Sequence, residues 1–122
     1  MANIAASLGA FIVVNNAYAL LRPQAALAQL SFPPPLSPAD QDLVHGLTRM
    51  HAATRVVVGA STLATWWYGN YKALGWQSVA GILMAIVDGL VSKSVISTGE
   101  WAHWGAAPIG LGVGLALIAQ SD

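Results

Sequence analysis

Thr48, His51, Arg55, Gly59 and Thr62 follow one another at intervals of three, four, four and three residues. That spacing stacks side chains along one stripe of a helix. A hydroxyl, an imidazole and a guanidinium on such a stripe can hold an oxygen-bearing molecule, exchange a proton with it and neutralise developing charge. The matching carboxylate lies elsewhere in the chain, at Asp88, inside a stretch that is otherwise apolar from Val79 to Val87. An ionisable side chain in such a stretch costs about 3 kcal/mol on membrane-insertion scales, so it faces the bundle interior and has a partner or a task. Partners are scarce: the basic residues are Arg22, Arg49, Arg55, Lys72 and Lys93, and the acidic ones Asp40, Asp42, Asp88, Glu100 and Asp122. Depth along the helices selects Arg55. Counted from a helix start at Ser37, it falls on the side of the membrane where the Asp88 segment ends and where the segment opened by His103 begins.

Asp88, His103 and Arg55 form the expected catalytic set. Asp88 gives or takes a proton, His103 is the second proton-transfer group and Arg55 stabilises negative charge as it develops. His51, Thr48, Thr62, Glu100 and Asn15 are the expected substrate contacts. Such a set suits isomerisation, cyclisation or epoxide opening of a hydrophobic small molecule arriving from the bilayer. No cofactor is expected, because the chain shows no redox-cofactor motif. No metal is assigned either: His45 and His51 stand six apart and do not share a helix face, and no cysteine is present. The rival reading is a non-catalytic membrane subunit, or a carrier of lipids or small molecules. In it Arg55 and Asp88 only lock the bundle, since removing either would strand a charge. His103, between Trp101 and Trp104, would then be an interfacial residue, and His45 and His51 structural or solvated ones.

The elements that must position these residues follow from composition. The chain has 122 residues, of which 56% are hydrophobic and 8% charged. A soluble domain carries about 25% charged residues, so this chain cannot cover its surface with polar groups. A formal net charge of zero, with both signs rare, leaves no basic stripe for nucleic acid. With no cysteine the redox compartment cannot be read. Four spans are expected: about Ile4–Leu21, closed by Arg22–Pro23; Ser37 to about Tyr68, opened by an N-cap serine, a proline and Asp40; about Leu74–Val91; and a short one from Trp104 or Pro108 to Ala119. The second is longer than the hydrocarbon layer, so its Asp40–Arg49 end should project beyond it.

Short polar breaks at Gly69–Asn70 and Ser92–Glu100 imply an all-α, integral membrane four-helix bundle with up-down topology and one domain. The uncharged Gln24–Leu36 connection, with Pro33–Pro34–Pro35, should lie at the interface. Trp66, Trp67, Tyr68, Tyr71 and Trp76 form one aromatic belt and Trp101 and Trp104 the other. Two alternatives for the apolar N-terminus are a secretory signal cleaved after Ala26–Leu27–Ala28 and a buried subunit of a soluble complex. Against the first, no Lys or Arg precedes the apolar run. Arg22, Arg49 and Lys93 would share one side, the side favoured as cytoplasmic, and Lys72 would lie on the other. Gly110 and Gly114 suit close helix packing, either within the bundle or between copies in a homo-oligomer. For Asn15 and Asn16 an interhelical hydrogen bond is the alternative to a substrate contact. In a eukaryotic cell the expected residence is the endoplasmic reticulum membrane.

Several short motifs carry a resemblance across nearly the whole chain: Leu21–Arg22–Pro23, Arg55–Val56–Val57–Val58–Gly59, Leu74–Gly75–Trp76, Asp88–Gly89 and His103. In their order the chain resembles the small four-span membrane proteins catalogued as domain of unknown function 4267, a family of fungi and bacteria similar in layout to the DoxX-like four-helix group. The resemblance implies that the family's Arg, Asp and His fall on Arg55, Asp88 and His103, and that a role in fungal natural-product biosynthesis is open. The Pro33–Pro35 loop departs from the simpler loop of that pattern. The family label implies no activity.

Overall fold

The structure, a computed structural model, describes residues 1–120. Position 121 and Asp122, the last of the acidic residues named above, lie outside the described residues. Among those described the chain is all-helical, with α1 Ala2–Leu21, α2 Pro23–Gln29, α3 Pro38–Trp67, α4 Tyr71–Ile96, α5 Glu100–Trp104 and α6 Ala107–Ala119. Three stretches are long and apolar enough to cross a membrane: Ala2–Leu21, Tyr71–Ile96 and Glu100–Ala119. The second expected span forms its helix, α3, but is not one of the three, because Asp40, Asp42, Arg49, His51 and Arg55 dilute its apolar sequence.

Local chemistry explains where the helices begin and end. Ser37 caps α3 by accepting from the Asp40 amide at 3.1 Å, and Pro38 fills the first position, where a missing N–H is harmless. Asn70 caps α4 in the same way, accepting from the Ala73 amide at 3.1 Å. At Pro23 the chain does not simply stop. Proline ends α1 and then serves as the first residue of α2, whose Ala-rich sequence takes up helix in the Gln24–Leu36 connection expected to be a loop. Helix α4 runs about a turn past Val91 and ends at Ser97 in the left-handed region.

Helix α1 packs along α3, and α4 along α6, while the two pairs meet more sparsely. Glycines set the first two contacts. A Cβ on Gly59 would stand 2.7 Å from the Gly9 carbonyl oxygen, and one on Gly75 would stand 2.8 Å from that of Gly114, so in each pair backbone meets backbone. Gly114 is therefore spent inside the chain. Gly112 has open space around it and is exposed on the outer face of α6.

At one end of the molecule Ala5, Leu74, Val113 and Leu117 make the buried core, with Ala2 and Trp66 packed against it. The Trp66 indole donates to Asn3 Oδ1 at 3.2 Å and ties α3 to the start of α1 there. At the other end Arg49 donates to the Leu20 carbonyl at 3.3 Å, satisfying one of the open acceptors in the last turn of α1. Val14, Val57 and Leu83 are largely exposed, an apolar coat that water would not favour.

Candidate functional site

A cavity of about 450 Å³ lies where the helix pairs meet sparsely. Its walls come from all six helices, and it is the interior that the polar stripe of α3 faces. Arg55, Asp88, His51 and His103 line it, as do Thr48, Thr62 and Asn15. Seven of the eight side chains expected from sequence to act on a substrate thus share one space. Glu100 does not line it. Its carboxylate is held beside Lys93, 3.8 Å from Nζ, across the α4–α5 turn.

The polar end centres on Asp88. Arg55 donates from its terminal Nη2 to Asp88 Oδ2, joining α3 to α4. The same guanidinium donates through Nε to His51 Nε2 at 2.9 Å, one helical turn earlier. This bond requires a lone pair on His51 Nε2, so the ring is neutral with its proton on Nδ1. Helical spacing accounts for the pair, and the planar Arg fork lets one side chain serve both an imidazole and a carboxylate. Asp88 Oδ1 lies 3.9 Å from His51 Nε2.

His103 approaches from α5. Its Nδ1 lies 3.7 Å from Asp88 Oδ2, too far for a direct hydrogen bond, and both groups border the cavity. On the ring's other side Ser92 Oγ is 3.2 Å from His103 Nε2. If Ser92 donates there, the remaining proton sits on Nδ1 and points toward Asp88, the arrangement in which His103 can deliver it. Ser92 is 3% exposed and does not line the cavity, so it orients the imidazole rather than reacting itself. The fit of α5 against α4 depends on Gly89, whose absent side chain leaves the space taken by the Trp104 indole. That indole donates to the Ile86 carbonyl at 3.3 Å.

The remaining lining residues are partly committed. Thr48 donates to the Val44 carbonyl at 2.8 Å and Thr62 to that of Val58 at 2.9 Å, so both offer the cavity only acceptor lone pairs. Asn16 donates to the Ile12 carbonyl at 2.8 Å, a bond within α1 in place of the interhelical bond expected for it. His45 does not line the cavity, and its buried Nε2 has no hydrogen-bond partner among the described residues. Among the described residues no group of three or more His, Cys, Asp or Glu side chains is arranged to hold a metal ion.

Sequence reasoning missed Ser92 and Gln77. Ser92 is one turn beyond Asp88, a spacing that puts it on the same face, but a serine in an apolar helix gives no signal unless its partner is known. Gln77 stands eleven residues before Asp88, three turns along that face, and its amide also borders the cavity.

No curated protein and no solved structure matches the chain. A family model does, over residues 9–117, a span that contains every cavity residue discussed above. The chain belongs to the family described as Domain of unknown function (DUF4267).

Proposed function

We propose that this protein is a membrane-embedded, cofactor-independent acid–base enzyme acting as an isomerase, cyclase or epoxide-opening enzyme on a hydrophobic small molecule in a biosynthetic pathway. The observation that carries this reading is the cavity itself: the bonded His51–Arg55–Asp88 cluster and, across a gap, His103 all border one space large enough for a small molecule. Asp88 takes the proton from the substrate or directs its delivery, His103 Nδ1–H supplies the second proton, and Arg55 stabilises an oxyanion as it forms. A carrier or structural subunit has use for an ion pair. The Ser92–His103 bond would also serve to tie α5 to α4, but the 3.7 Å gap between His103 Nδ1 and Asp88, on the cavity wall, is what favours proton exchange with a ligand.

The apolar outer faces favour access from the bilayer. We propose further that α3 crosses with α1, α4 and the α5–α6 stretch, giving a four-helix up-down bundle, resident in the endoplasmic reticulum membrane when the host is a eukaryote. Its 30 residues reach about 45 Å, enough to cross with polar turns to spare. Single cysteines at positions 2 and 119, in a chain with no native cysteine, should both react with a membrane-impermeant thiol reagent from the same side of sealed vesicles. Labelling from opposite sides rejects the topology.

The chemistry is tested by deleting the gene in the producing cell and comparing lipid-soluble extracts by mass spectrometry. Acid–base catalysis without a cofactor moves protons and bonds but transfers no electrons. The accumulating precursor should therefore have the mass of the lost product, or differ from it by one water. A difference of two hydrogens or of one oxygen atom would instead mark a redox step and remove the proposal.

A further inference from the structure

We infer that the substrate carries a second polar group about three helical turns from its reacting oxygen, where Gln77 binds it. Deepening the acid–base reading, this inference takes from it only that the reacting oxygen sits by Arg55 and Asp88. Gln77 lines the same cavity, and its Oε1 is buried with no hydrogen-bond partner among the described residues. A buried amide oxygen left unmatched is costly, so it marks a place where a ligand gains by supplying the bond.

The neighbouring polar groups cannot supply it. Thr62 is committed to Val58, and Ser78 donates to the Leu74 carbonyl at 2.9 Å. Among the described residues, Gln77 Oε1 is thus the buried polar atom of the cavity wall left without a bond. Eleven residues of helix separate it from Asp88, about 16 Å of rise, with both side chains on one face. The ligand class is therefore a lipophile long enough to reach both points, with an oxygen function by Arg55 and Asp88 and a hydroxyl or N–H at Gln77. A hydroxyl suits Gln77 well, because it donates to the amide oxygen.

The test uses the protein in phosphatidylcholine nanodiscs, titrated with 1-dodecanol and with 1,12-dodecanediol, binding being followed by thermal unfolding and tryptophan fluorescence. Both alcohols carry a hydroxyl for the Arg55–Asp88 end, and only the diol has a second one for Gln77. Each alcohol partitions into the bilayer equally for parent and variant, so the ratio of the two apparent affinities, compared between proteins, isolates Gln77. One hydrogen bond is worth roughly a three- to tenfold change in that ratio. The diol's relative advantage should fall by this factor in both Gln77→Leu and Gln77→Met, the second preserving side-chain length should leucine disturb the helix. An unchanged ratio in both variants overturns the inference. Asp88→Asn is assayed for turnover in parallel: loss of the diol preference with Gln77, together with full turnover in Asp88→Asn, would retain the second anchor while rejecting the acid–base reading.

Discussion

Asp88→Asn should reach parental levels in the membrane and lose turnover by roughly 10²-fold or more, the usual scale of proton-transfer assistance. The substitution keeps the size of the side chain and an oxygen that can accept from Arg55, and removes only the titratable proton. Arg55 also keeps its bond to His51 Nε2, so its guanidinium is not left without a partner. Its side chain is 17% exposed and borders the cavity, which lets water approach the charge. If Arg55–Asp88 served structure alone, output per molecule of protein would stay at the parental level, and any cost would appear only as poorer accumulation or a lowered unfolding temperature in detergent. Turnover and stability therefore move differently under the two readings. Arg55→Lys adds a second comparison: an ammonium preserves charge but cannot bond His51 and Asp88 together as the planar fork does, so turnover should fall while the fold persists. Full pathway output from Asp88→Asn and His103→Ala alike, at normal protein levels, would end the catalytic reading.

Gly89→Ala should lose both stability and activity, although the change adds a single methyl group beside the site and not within it. The new Cβ would overlap the Trp104 indole, with Cε2 only 2.6 Å away. A rigid ring cannot give way like the tip of a flexible side chain. It must leave its position, which breaks its bond to the Ile86 carbonyl and displaces α5, the helix that carries His103. Overpacking of this kind costs about 1–3 kcal/mol. Turnover should fall as far as in His103→Ala, because the imidazole moves with its helix. Gly46→Ala is the internal control. Nothing lies within 4 Å of that position, and alanine in a helix is better than glycine by about 1 kcal/mol, so it should stabilise slightly. Thermal unfolding in detergent, with near-UV circular dichroism to report the tryptophans, checks both. A Gly89→Ala protein as stable as its parent would show that the Gly89–Trp104 contact does not fix α5.

The helical content, the helix start at Ser37 and the stripe of Thr48, His51, Arg55 and Thr62 were legible in the sequence, because each depends on residues a few positions apart. The scarcity of charge was equally informative. A lone carboxylate in an apolar helix must find a partner, and Arg55 was the basic residue at matching depth. Family membership could also be read from short motifs, since these lie in order along the chain.

What the sequence could not disclose was how the helices face one another. Helices α1, α4 and α6 are apolar almost all the way round, so no periodic stripe marks an inner face. Their rotation is set by where backbones can touch, at Gly9 with Gly59 and Gly75 with Gly114, and those pairings exist only after the chain has folded. That rotation turns the face of α4 that carries both Gln77 and Asp88 toward the cavity, while the α4–α5 turn gives Glu100 to Lys93 and sets Ser92 behind His103. The sequence by itself determined which groups could do chemistry. The tertiary structure alone decided which of them meet around an open cavity, because helix rotation and spacing come from contacts between residues far apart in the chain.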